Sequence, residues 1–385
     1  MSSYALNPDF KRQEFLNKYW QQQPVLLPAL FQDFDDPITA EELAGLACEE
    51  FIESRLINTG KDGNWALEQG PFDETMFQQL PSRDWTVLVQ AVDQWSALVN
   101  ALKTPFDFLP SWRIEDVMVS YAAPGGGVGP HFDFYDVFLI QGSGQRRWLV
   151  GDRCPADAAL LANSEQKILQ TFEAKQEFIL NPGDVLYLPP QIAHWGTAVN
   201  ESLCYSIGFR APSVAEMLEG YSDSLIARSN PARRFTDSID TLPLKPGAIN
   251  PGSLQRALED LTELIADESS FAKWFGCYVS NPKYPELVQP AEHPLELSAL
   301  RSRLQQGASL VRHPCSRFAF LKYESELYFF ADGGLHKLPS SALNAVSTLC
   351  ELTTLYSREI LIILKTDSMP ELLLQLHNHG CLILE

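Results

Sequence analysis

The sequence has no CxxC pair, no long apolar run and few basic residues. Its cysteines, Cys48, Cys154, Cys204, Cys277, Cys315, Cys350 and Cys381, are scattered and odd in number. That excludes a zinc ribbon and a disulfide framework, and it fits thiols kept reduced in a cytosol. All seven read as small buried hydrophobes. No charge-free apolar stretch approaches the roughly 18 residues that a membrane helix needs. The opening segment MSSYALNPDFKRQEF lacks the apolar core of a secretory signal, so cytoplasmic residence is the expectation. Lys and Arg number 29 against 49 Asp and Glu, a net charge of −20. A field of that sign repels nucleic acid and favours a basic partner, although solubility alone would account for it. Internal repeats and low-complexity tracts are missing too.

What is present divides the 385 residues into two or three domains. Phe15, Tyr19 and Trp20 lie at helical spacing, Pro24 stops that helix, and VLL after it reads as a short strand. Residues 39–110 mix helical patterns such as TAEELAGLACEEFIESRL with loops. From about 111 to 210 short apolar or alternating runs dominate, among them VMVSYAA, DVFLIQG, RRWLVG, DVLYLPP and SLCYSIGFR. Turn signals separate them (PGGGVGP, GSG, NPGD), the pattern of an antiparallel sandwich or barrel. PGGGVGP lacks the GK[ST] ending of a phosphate loop and reads as a rim loop leading to His131. SVAEMLEGYSDSLIARS is an amphipathic helix. FTDSIDTLPLKPGAINPGS is a connection, and SLQRALEDLTELIADESSFAKWFGCYV is one long helix or two. The last hundred or so residues combine helices with a hairpin turning at YESE and a terminal strand CLILE, an order that suggests a winged-helix-like unit.

Histidine is scarce, and only His131 and His194 fall in the strand-rich segment. HFDF at 131–134 reads as a strand, which would turn His131 and Asp133 to one side and Phe132 and Phe134 to the other. His194, just past DVLYLPP, is the candidate third ligand. Two imidazoles and one carboxylate on one face of an octahedron leave three positions open, the arrangement of non-haem Fe(II) oxygenases. A structural zinc site would be closed by four ligands. Gly183, Pro189 and His194 follow the spacing of the second cupin motif, with two departures: Gln191 stands where the motif has Gly, and Ala198 where it has Asn, with Asn200 nearby. In GSGQRRWLVG, Arg146, Trp148 and Val150 share one strand face. A buried guanidinium needs an anion: either an internal Asp or Glu, or a carboxylate gripped through two hydrogen bonds. Ser120, and less directly Ser206, is placed to add a hydroxyl.

HFD, the spacing to RRW, and PGDVLYLPPQIAHWG together resemble the JmjC-type 2-oxoglutarate oxygenases, and more narrowly the bacterial ribosomal oxygenases. The similarity runs nearly the full length, from FLNKYWQQQPVLL onward. It implies an α+β fold: a double-stranded β-helix (cupin or jelly-roll) catalytic domain over 1–212, a helical dimerisation region over 213–285 and a winged-helix-like domain over 286–385. It implies Fe(II) held by His131, Asp133 and His194, with 2-oxoglutarate and O2 as co-substrates. Arg146 would hold 2-oxoglutarate, with help from Ser120. Members of the subfamily hydroxylate an arginine side chain of the sixteenth large-subunit ribosomal protein, so a basic ribosomal partner and a homodimer are expected. A cationic target suits a −20 enzyme. Asp116, Tyr135 and Asp136 are candidate linings of an arginine pocket. Relatives that modify histidine, and demethylases acting on methyl-lysine, leave the target residue open. A nucleic-acid-binding regulator built on the winged helix is the rival of another class. The charge and the missing basic stripe in SALNAVSTLCELTT argue against it.

Overall fold

The computed structural model describes residues 4–59, 65–162, 167–237 and 245–385. The chain divides into two compact units, Met1–Ala211 and Pro212–Glu385. No helix among the described residues is long and apolar enough to cross a membrane.

The first unit carries β1 (Val25–Leu27), β2 (Ser54–Thr59), β3 (Trp65–Gln69), β4 (Trp85–Val89), β5 (Ile114–Ala122), β6 (Asp136–Gln141), β7 (Arg146–Arg153), β8 (Gln176–Leu180), β9 (Val185–Leu188), β10 (Ile192–Ala198) and β11 (Ser202–Phe209). They form an eight-stranded sheet ordered β1-β9-β6-β11-β5-β4-β2-β3 and a three-stranded sheet ordered β10-β7-β8, with every named pairing antiparallel. Strands β6 and β11 are buried along their whole length. Alternation explains how both faces are used. Val137 and Leu139 pack inward with Trp148, Val150, Leu186 and Cys204. Phe138 and Ile140 pack on the other face with Tyr187, Tyr205 and the N-terminal aromatics.

Those aromatics come from a helix that is shorter than the periodicity predicts. It spans Arg12–Lys18, and Gln21 turns in the left-handed region (φ +57°) well before Pro24. Tyr19 and Trp20 therefore lie beyond the helix end, where Trp20 meets Phe138 and Phe209. Phe15 stays on the helix and contacts Tyr187 at 5.0 Å between ring centres. The next helix also stops early. Thr39 caps it through a reciprocal bond with Glu42, but it ends at Ala47, and the segment expected to continue as helix enters β2.

In the second unit, helix Val214–Arg228 starts at a Ser213–Glu216 capping box. The long helical pattern that follows breaks into Pro251–Ile265 and Glu268–Ser280, because Asp267 caps the second helix. The expected Pro/Gly connection falls partly on 238–244, outside the described residues. The remainder carries β12 (Leu310–Arg312), β13 (Phe318–Tyr323), β14 (Glu326–Ala331), β15 (Gly334–Leu338), β16 (Thr354–Leu355) and β17 (Leu382–Leu384), with helices Leu297–Gln305, Leu343–Glu351, Ser357–Ile363 and Met369–Asn378. The hairpin turns at Glu324, as the sequence indicates. A core of its own, including Leu300, Phe329, Val346 and Leu373, holds this part together.

Candidate metal centre

The turn Asn181–Pro182–Gly183–Asp184 feeds β9, and only Gly183 takes its φ of +84° without strain. Asp184 fixes the turn by accepting from the N–H groups of Ala29 and Asn181. The chain then rounds a corner at Pro189, Pro190 and Gln191 into β10. Gln191, at the cupin motif's glycine position, still adopts the left-handed conformation (φ +67°). Its amide donates to the Cys154 carbonyl at 2.9 Å, and its N–H donates to the Asp133 carbonyl at 2.6 Å. These bonds offset a backbone cost of about 1–2 kcal/mol. A register shift between Ile192 and His194 then sets the aim of His194.

His131 meets His194 through a single antiparallel bridge, with N–H···O distances of 3.0 and 2.8 Å. Residues 132–135 are not in a strand, which corrects the reading of HFDF as one. The partner strand has already turned away at Gln191, so no ladder continues. Asp133 arrives on a loop whose backbone is pinned by that same Gln191 N–H.

The three side chains converge nevertheless. One ligand atom from each of His131, Asp133 and His194 lies within 4.8 Å of the others. The imidazoles are 4.2 Å apart between centres, and His194 Nε2 is 3.7 Å from Asp133 Oδ2. His131 Nδ1 is 2.9 Å from the Gly129 carbonyl, and His194 Nδ1 is 2.9 Å from that of Ile192. A carbonyl only accepts, so each Nδ1 carries a proton, which leaves Nε2 as the ligating atom of each neutral ring. The donor set fits a divalent transition metal with open positions.

Burial, and then the neighbouring His131, push the His194 pKa down to about 4, against the pull of Asp133. The ring is therefore neutral, as ligation requires. In the unfolded chain the group titrates at its ordinary 6.5, so the unfolded state takes up the proton first. The stability contribution is complete above pH 6.5 and is lost as pH falls toward 4, by about 3 kcal/mol in all. Metal-free protein should thus unfold at lower urea concentration as pH drops through that window. His194→Gln should show a flatter dependence, and parallel curves would contradict the burial of a neutral ring.

Arg146 lies inside the barrel and bonds only to neutral groups. Nε donates to Ser202 Oγ (3.0 Å), Nη1 to Ser120 Oγ (2.8 Å), and Nη2 to the Ser120 and Ser202 carbonyls (3.0 and 3.2 Å). A guanidinium has five donors; one on Nη1 is left over, and no acidic side chain among the described residues pairs with it. Of the two readings the sequence allows, an internal ion pair is not what the structure shows. Ser202 was missed by sequence reasoning. Alternation along β11 puts it on one face with Cys204 and Ser206, yet only the cross-strand position tells which serine Arg146 meets.

Asp116 and Tyr135 come close to the cluster. The Tyr135 hydroxyl bonds to Asp133, and that carboxylate, with burial and Asp116, drives its pKa upward. Asp116 shares the face of β5 that carries Ser120, and its Oδ2 accepts from Gln90 at 2.8 Å. Asp136 does not join them, contrary to expectation. It is fully buried on the opposite face, and accepts from Tyr187 (2.5 Å), Arg113 (3.1 Å) and Gln21 (3.1 Å). Its carboxylate ties the N-terminal segment to the sheet.

Residues 101–217 match the JmjC domain model, and residues 263–382 the ROXA-like winged helix. The ribosomal protein uL16 3-hydroxylase of Escherichia coli is 39% identical over 305 residues, covering 78% of this chain and 79% of that protein. The chain belongs to the JmjC ribosomal oxygenases. A probable ribosomal oxygenase of Haemophilus influenzae is 32% identical over 329 residues, covering 83% and 80%. The solved structure of an Escherichia coli ribosomal oxygenase in complex with cobalt and 2-oxoglutarate superposes with a TM-score of 0.87 at 35% identity, covering 99% of each chain. Membership makes the chain an oxygenase of the JmjC cupin fold with a C-terminal winged helix, as its motifs imply.

Proposed function

We propose that this chain is an Fe(II)- and 2-oxoglutarate-dependent protein hydroxylase that places a hydroxyl group on an arginine side chain of ribosomal protein uL16. Arg146 carries the reading: a sealed guanidinium with only neutral partners, on the barrel wall that also delivers His194. His131 Nε2, His194 Nε2 and an Asp133 oxygen hold the iron. Arg146 and Ser120 take the distal carboxylate of the co-substrate, with Ser202 fixing the guanidinium. Bound iron and 2-oxoglutarate supply, with O2, the oxidising power to hydroxylate an unactivated C–H bond, giving succinate and CO2. The side chains do no acid–base work at that carbon; they bind, orient and exclude water. Asp116 offers a carboxylate to the target guanidinium and Tyr135 a ring face, while the Tyr135 hydroxyl steadies Asp133.

The test is purified enzyme with Fe(II), 2-oxoglutarate and uL16, read by tandem mass spectrometry. One added oxygen on an arginine supports the reading; modification confined to histidine, or turnover driven by methyl-lysine peptides instead, contradicts it. Asp116→Ala should raise the KM for uL16 and leave that for 2-oxoglutarate unchanged.

Residues 1–212 form the catalytic domain, 213–285 a helical dimerisation region and 286–385 a winged-helix-like domain. The helix Pro251–Ile265 supports a homodimer: Leu254, Leu258, Leu261 and Ile265 recur at helical spacing and are more than half exposed. Leu258→Asp with Leu261→Asp should halve the mass seen by light scattering and leave the fold intact. An unchanged mass would remove this face from the interface. The enzyme works in the cytoplasm, where a −20 surface attracts a basic ribosomal protein.

A further inference from the structure

Three cross-strand rungs of β7 and β10 share the barrel's inner face: Val150 with His194, Trp148 with Gly196, and Arg146 with Ala198. The first rung carries a metal ligand and the third the unmatched guanidinium. Trp148 occupies the middle one, about 7 Å along the strand from each. Its indole lies across Gly196, where an added Cβ would stand 2.6 Å from the ring. The ring centre is 5.9 Å from that of His194.

Trp148 is 6% exposed, yet its Nε1–H has no acceptor among the described residues. The indole nitrogen can only donate, and leaving a donor buried and unmatched is costly. Phe would fill the same slot without that cost. A buried donor between a metal cluster and a spare cation is suited to an acceptor that arrives with a ligand. The ligand that both ends call for is a dicarboxylate, and it must pass the middle rung.

We propose that Trp148 Nε1–H donates a hydrogen bond to a carboxylate oxygen of bound 2-oxoglutarate, making Trp148 a binding residue beside Arg146 and Ser120. This rests on the 2-oxoglutarate reading above. A bond to a charged acceptor is worth roughly ten- to a hundredfold in affinity.

The test uses zinc-loaded full-length protein with nitrogen-15 in its eight tryptophan side chains. The indole resonance missing from Trp148→Phe belongs to Trp148; should that variant not fold, Trp148→Tyr gives the same assignment. On adding 2-oxoglutarate to the wild type, this resonance should move downfield. Trp148→Phe should bind 2-oxoglutarate about tenfold or more weakly and zinc with unchanged affinity. A stationary resonance at saturating 2-oxoglutarate, as a resident water acceptor would give, overturns the proposal and leaves the 2-oxoglutarate reading standing. So does equal 2-oxoglutarate affinity in a folded Trp148→Phe. Failure of the zinc-loaded wild type to bind 2-oxoglutarate overturns both.

Discussion

Replacing His131 by Ala is expected to abolish substrate-coupled succinate formation while leaving the fold intact. The imidazole is one of three donors gathered within 4.8 Å, and no other His, Cys, Asp or Glu cluster of that kind occurs among the described residues. Loss of a mere supporting partner of a metal ligand costs about 10- to 100-fold, so loss of the ligand itself should exceed that. The fold should survive, because the His131 bridge to His194 uses backbone groups that Ala keeps. Metal content, circular dichroism and turnover, measured on one preparation, separate these effects. Full turnover in a folded variant would contradict the assignment.

The second large effect is at Arg146. Arg146→Met should raise the KM for 2-oxoglutarate by about two orders of magnitude and leave metal binding unchanged. Removing one member of a buried charge pair costs about 2–5 kcal/mol, and each 1.4 kcal/mol is a factor of ten. Arg146→Lys should restore only part of the affinity. An ammonium is a point charge and cannot hold Ser120 and Ser202 with a fork while facing a carboxylate. Titration of turnover against 2-oxoglutarate checks both variants. A KM unchanged in Arg146→Met would show that the cation serves something other than the co-substrate.

The chemistry was more legible in the sequence than the geometry that produces it. Residue type and spacing single out His131, Asp133 and His194, yet HFDF is not a strand. Asp133 reaches the cluster because Gln191 turns the neighbouring chain away and pins the loop. The same loop explains why Asp136 was misplaced. Strand parity cannot be carried across residues 132–135, which are outside the ladder. Counted within β6 alone, Asp136 falls with Phe138 and Ile140, on the face that Arg113, Gln21 and Tyr187 approach. Those three partners lie far away in sequence, and no local pattern announces them.

Arg146 shows the opposite case. Its apolar companions Trp148 and Val150 indicated burial correctly, because alternation within one continuous strand is local information. What it bonds to was not local: Ser202 and Ser120 sit on β11 and β5, in the other sheet. The N-terminal helix failed at its end for a similar reason. Tyr19 and Trp20 fit a helical period, but both pack on the core from a chain that has already left the helix, Tyr19 against Phe15 and Trp20 against Phe138 and Tyr187.

The decisive measurement is the intact mass of ribosomal proteins from cells with and without this gene. For a uL16 hydroxylase, uL16 alone should lose the mass of one oxygen when the gene is absent, and the His131→Ala enzyme should not restore it. An unchanged uL16, with the missing oxygen on another protein or on none, would contradict that function.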